Sequence, residues 1–159
     1  AHLQLLQRDH DKALASAEKA LLSRPSCDAS YAIKANIMNY LGRPEEAVSL
    51  SRHAMRLSPV FPSFYPTVLA AAYYGSGKFA EAVAAAEISR QADPDNKDAL
   101  IILTAANAAL GDMESARSAV HSILELQPDF DIASYGAHQP YKNPKDLDQL
   151  LAHLREAGM

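Results

Sequence analysis

The sequence predicts an all-α fold, a solenoid of antiparallel helix pairs, because three residue types keep one period. Alanines in a common setting recur at Ala13, Ala47, Ala82 and Ala116, at intervals of 34, 35 and 34 residues. Pro25, Pro59, Pro94 and Pro128 recur at the same intervals. Gly42, Gly77 and Gly111 each stand five residues before their alanine. A fixed period in this range marks stacked supersecondary units, each unable to bury its apolar face alone.

Each marker has a physical reason. The glycine ends a first helix, where left-handed geometry is cheap only without a Cβ. The alanine lies where the two helices of a pair approach most closely, and a small side chain is required there. The proline follows the second helix and stops it, because it cannot donate the next backbone bond. Between markers the apolar residues fall at helical spacing: Leu50, Ala54 and Leu57 in one second helix, Val120, Ile123, Leu124 and Leu126 in another. No alternating run argues for a strand.

This grammar resembles the tetratricopeptide repeat, a helix–turn–helix unit of about this length. The resemblance implies a right-handed superhelix. Three complete repeats fit residues 28–61, 63–96 and 97–130, with residue 62 as an insertion. Residues 1–27 hold the end of a first helix and a whole second helix, so the expectation is that further sequence precedes Ala1. The whole chain, 1–159, reads as one domain. After Pro128 the pattern fails. Residues 131–138 fit one short helix and 139–142 a turn. Asn143 fits the N-cap of a last helix, with Pro144 at its first position and Asp146 complementing its dipole. Leu147, Leu150, Leu151 and Leu154 form its apolar stripe, and Gly158 suits its stop. Residues 131–159 are therefore expected to cap the solenoid, with 144–157 as the capping helix.

The bulk properties narrow the function classes. Hydrophobic residues make up 48% and charged residues 21% of the chain, a globular rather than disordered balance. No apolar run approaches the roughly 18 residues that cross a bilayer, and no signal-peptide pattern opens the chain. Cys27 is the only cysteine, which excludes an internal disulfide. With a net charge of −4 and dispersed basic residues, no nucleic-acid footprint is visible. The reading is a cytoplasmic segment that neither binds nucleic acid nor inserts into a membrane.

The wording of the repeats allows a finer resemblance. Asn39-Tyr40-Leu41-Gly42-Arg43-Pro44-Glu45-Glu46-Ala47, then Ala54-Met55-Arg56-Leu57-Ser58-Pro59, is similar to the C-terminal repeat region of bacterial class III adenylate/guanylate cyclases. So are Phe61-Pro62-Ser63-Phe64-Tyr65 with Ala72-Tyr73-Tyr74, and the ending Pro140-Tyr141-Lys142-Asn143-Pro144-Lys145-Asp146-Leu147 with Leu154-Arg155-Glu156-Ala157-Gly158-Met159. The resemblance implies a regulatory or scaffolding array in a signalling protein whose catalytic domain lies elsewhere. None of that domain's metal-binding or substrate residues maps onto this chain. Two rival readings are a self-association module and the repeat region of a transcriptional regulator.

Short constellations carry no chemistry of their own. Gly75-Ser76-Gly77-Lys78 lacks the spacing of a phosphate loop and no strand precedes it. Histidines at 2, 10, 53, 121, 138 and 153 show no metal-ligand spacing, and His53 and His121 are expected to face solvent. Glu45-Glu46 follows Pro44 at a helix start, where carboxylates complement the dipole. Cys27 sits in an interrepeat turn, with no nearby histidine or basic residue in sequence to depress its pKa. Neither catalytic residues, nor a cofactor, nor a metal is expected.

The functional candidates come from the family's inner groove, lined by first helices. Mapped by repeat position they are Asn36, Asn39 and Tyr40; Phe64, Thr67 and Tyr74; then Asp98 and Ile101. Ala29 and Ala32 leave space beside the first set. Tyrosines with asparagines suit an extended peptide of a protein partner, because rigid rings bind and amides pair with backbone. Tyr40 and Tyr74 are expected to be accessible, and Tyr73 to lie in the core. Asn36 matches one asparagine of the family's carboxylate clamp, but Ala32 stands where the clamp has lysine. A chaperone tail of the EEVD type is therefore a poor partner.

Overall fold

The computed structural model describes residues 1–159, the side chain of His2 excepted. Ten helices occupy about three-quarters of them, with no strand among the described residues. Four antiparallel pairs follow one another. They are α1 (His2–Leu6) with α2 (His10–Ser23), α3 (Asp28–Tyr40) with α4 (Pro44–Leu57), α5 (Phe64–Gly75) with α6 (Phe79–Ala92), and α7 (Lys97–Leu110) with α8 (Met113–Leu126). A short α9 (Ile132–His138) and a longer α10 (Pro144–Glu156) complete the chain.

The periodic markers hold their expected places. Ala13, Ala47, Ala82 and Ala116 are all 0% exposed, pressed between the helices of their pairs. Gly42, Gly77 and Gly111 turn the chain at φ 73°, 73° and 79°, the left-handed region that a Cβ makes costly. Asn96, Asp112, Asp131 and Asn143 cap α7, α8, α9 and α10 by accepting amide hydrogen bonds in the first turn. At the N-terminal end Leu3 and Leu6 are exposed, whereas Leu5 is buried in a cluster with Ala13, Ala17 and Ile37.

The central helices are covered on every side. In α7 an unbroken run from Ala99 to Ala108 is buried, and in α5 the run from Tyr65 to Ala70. A solenoid helix with an open inner face would show a solvent-facing stripe. The cover comes from the chain's own C-terminus. Leu150 and Leu154 of α10 join Leu100, Ile101 and Ala105 in one buried cluster. Ala157 packs with Ala108, Ala116 and Val120. The capping helix thus lies across α7, and residues 131–143 continue that cover over the earlier repeats.

Candidate functional site

The first helices bring most of the predicted groove residues together. Asn36, Asn39 and Tyr40 from α3, Phe64 and Thr67 from α5, and Asp98 from α7 line a single cavity of about 120 Å3. Equivalent positions of neighbouring repeats meet because successive first helices lie side by side. The same cavity has a roof that sequence reasoning did not foresee: Tyr135, Gln139 and Tyr141 of the C-terminal segment. Tyr74 instead borders an adjoining cavity of about 280 Å3 with Asn39, Gly42, Pro44 and Tyr141. Ile101 is 1% exposed and belongs to the core beneath α10.

The expectation of two accessible tyrosines needs correction. Tyr74 is only 6% exposed. Its hydroxyl lies 2.6 Å from Nδ1 of His153, and its ring packs on Phe79. Burial and then the charge of Glu156 push its phenol well above the ordinary range, so it keeps its proton. Tyr73, expected in the core, is only partly buried against it. Tyr40 is partly covered by Tyr141, edge to face with centroids 4.9 Å apart. Burial, with the charge of Asp98, pushes the Tyr40 phenol up to about 12.

The other side chains divide between service to the fold and free capacity. The Thr67 hydroxyl is committed: it lies 2.8 Å from the Ser63 carbonyl and 2.7 Å from the Ser89 hydroxyl, and accepts from Asn96 at 3.0 Å. Asn39 donates to the Val68 carbonyl at 3.0 Å, but its buried Oδ1 has no partner among the described residues. An orphaned buried acceptor is costly, and Asn39 lines both cavities. Phe64 is 39% exposed and Asp98 lies on the exposed rim.

The segment joining α9 and α10 is held mainly through its backbone. The Lys142 amide donates to the Tyr40 carbonyl at 2.8 Å. His10 Nε2 sits 2.6 Å from the Pro140 carbonyl, and a carbonyl only accepts, so that nitrogen carries the proton. The Arg8 guanidinium reaches the carbonyls of Ala137 at 3.1 Å and Gln139 at 3.4 Å. Arg8 stands one period before Gly42 and adopts the same left-handed turn, at φ 60°, with a Cβ that costs about 1 kcal/mol there. The position that is glycine in the later repeats thus carries a cation fastening the C-terminal segment.

One side expectation also changes. Cys27 is the N-cap residue of α3, and the Ser30 hydroxyl and amide beside it lower its pKa. His53 lies edge-on to Tyr31 with centroids 4.4 Å apart rather than fully in solvent, whereas His121 is exposed. Among the described residues no helix is long and apolar enough to cross a membrane.

Residues 68–138 match the family described as the tetratricopeptide repeat. That stretch is a little under half of the chain, and over it the chain is similar to tetratricopeptide repeats. Solved repeat proteins share the architecture. MamA superposes with a TM-score of 0.69 at 17% identity, over 97% of this chain and 90% of that one. YrrB, described as a repeat protein with an unusual peptide-binding site, gives 0.64 at 18% identity, over 98% and 80%. The first repeat domain of Spaghetti (RPAP3), bound to the HSP90 peptide SRMEEVD, gives 0.62 at 25% identity, over 79% and 96%. No curated protein sequence matches the chain.

The residues missed from sequence were Arg8, His10, Tyr135, Gln139, Tyr141 and His153. Their signal was indirect. Lys97–Leu110 has no polar face, its inner positions being apolar or alanine. A helix apolar all round is covered all round. That pattern calls for a further layer on the groove, and residues 131–159, expected only to cap the end of the solenoid, supply it.

Proposed function

We propose that this chain is a non-catalytic protein-interaction module whose concave groove takes an extended peptide segment of a partner protein. One observation carries the reading: Asn36, Asn39, Tyr40, Phe64, Thr67 and Asp98, from three successive first helices, line one cavity already roofed by an extended segment. Aromatic rings and a spare amide oxygen suit backbone recognition better than they suit chemistry on a substrate. Ala32 is fully buried and offers no cation to a terminal carboxylate. That argues against a ligand like the HSP90 peptide of the RPAP3 domain.

The test is selection from a random peptide library displayed on phage. Selected peptides should bind the wild-type chain and lose roughly tenfold or more in affinity against Asn36→Ala with Phe64→Ala, about 1.4 kcal/mol or more. Equal binding by the folded double variant would place the contact outside the groove.

The wider setting we propose is the regulatory C-terminal array of a bacterial signalling cyclase in the cytoplasm. Its support is the resemblance of Asn39–Ala47 and of Pro140–Leu147 to those arrays. Sequencing the gene around this segment tests it. A parent polypeptide without a cyclase catalytic domain would overturn it.

A further inference from the structure

We propose that the ligand of the groove is an extended peptide bearing a proline–tyrosine pair, and that residues 139–143 occupy the site as a tethered competitor which this ligand displaces. The proposal rests on the peptide-groove reading and goes beyond it by naming the ligand's chemistry.

The first support is how the segment is held. Gln139 is extended at φ −77° and ψ 129°. The Gln139 and Pro140 carbonyls accept from Arg8 and His10, and the Lys142 amide donates to the Tyr40 carbonyl. These partners come from the α1–α2 turn, the start of α2 and the end of α3. Bonds of this kind would fasten the backbone of any extended peptide, as in strand-like ligand recognition. Selectivity comes from the ring of Tyr141, edge-on to Tyr40, and from buried Pro140 before it.

The second support is that the fit is incomplete. Cavities of about 120 Å3 and 280 Å3 flank Tyr141. Asn39 lines both, and its buried Oδ1 accepts no hydrogen bond from the segment. A core element would close that space and satisfy that atom, because interiors are close-packed and buried polar groups are paired. A ligand with a donor at this depth gains a bond that the resident segment does not make. By contrast, α10 is fully packed, with Leu150 1% and Leu154 0% exposed. Release therefore involves the linker between α9 and α10, with α10 left in place.

Tethering gives the resident segment an effective concentration on the order of millimolar, so it suppresses weak ligands and yields to strong or local ones. The experiment uses a fluorescein-labelled peptide of residues 137–145, read by anisotropy against the whole chain. Tyr141→Ala weakens only the occupant, and should bind this peptide roughly tenfold or more tightly than the wild type does. The same peptide with alanine in place of its tyrosine should not bind. If Tyr141→Ala fails to fold by circular dichroism, Lys142→Pro, which removes the amide donor and restrains the backbone at 141 and 142, carries the same comparison. Equal affinity for wild type and folded variant, or no binding to either, overturns the proposal. If library-selected peptides still bind through Asn36 and Phe64 in that case, the groove reading survives without it. Concentration-dependent dimerisation of the variant, with the labelled peptide excluded, would assign the site to a second copy and also overturn it.

Discussion

Asn96 joins two repeats, and its replacement should separate two energies. Its Oδ1 accepts the Ala99 amide at 3.0 Å and so caps α7. Its Nδ2 donates to Thr67 Oγ1 at 3.0 Å and Ser89 Oγ at 3.1 Å, which engages both hydrogens of the amide. Thr67 and Ser89 are buried, at 8% and 0% exposed, and spend their own hydroxyl hydrogens on the Ser63 carbonyl and each other. Asn96→Ala removes the cap, worth about 1 kcal/mol. It also removes two neutral hydrogen bonds, worth about 1 kcal/mol each. The expected loss is about 3 kcal/mol. Asn96→Ser keeps a capping oxygen on a side chain too short for the network, and should lose about 2 kcal/mol. Urea unfolding followed by circular dichroism measures both, with unchanged slopes required for the comparison. For a chain of this size the alanine variant should melt roughly 6–12 °C lower. Equal losses in the two variants would show that the cap contributes nothing. A serine variant as stable as wild type would refute the buried network.

Ala82 is 0% exposed between α5 and α6, so Ala82→Leu should cost roughly 1–3 kcal/mol by overpacking, and an unchanged urea midpoint and slope would show that the helix crossing is misplaced. Burial raises five tyrosines, Tyr40 and Tyr65 to about 12 and Tyr74, Tyr135 and Tyr141 well above the ordinary value. Folded pKa values above the unfolded one stabilise fully below pH about 10 and lose that contribution as pH rises through the folded values. Phenolate absorbance from these residues should therefore appear above pH 10 together with loss of the helical signal, and free titration near pH 10 in a folded chain would contradict the burial.

Much of this was legible in the residues. The period of 34, kept by alanine, proline and glycine, specified helix pairs, their turns and their tightest contacts, because each marker answers a local demand of sterics or backbone geometry. Helix α10 was legible for the same reason: Asn143, Pro144 and the leucine stripe are local signals. The groove was half legible. Its floor follows from repeat position, so Asn36, Asn39, Tyr40, Phe64, Thr67 and Asp98 meet as expected. Tyr74 and Ile101 occupy groove positions too, yet both lie under other residues.

That last difference belongs to tertiary structure alone. A repeat grammar describes contacts between neighbouring units, and those are short in sequence. The closure over the groove joins Arg8 to Gln139 and Tyr74 to His153, pairs separated by 131 and 79 residues. Neither period nor propensity encodes such a meeting, because Pro140-Tyr141 reads locally as a turn and His153 as a helix surface. Only the packed molecule decides that this turn meets His10 and Tyr40 and that α10 lies across α7. The physical reason is the inner face of α7: its apolar surface must be covered, and the C-terminal segment is the part of this chain that reaches it.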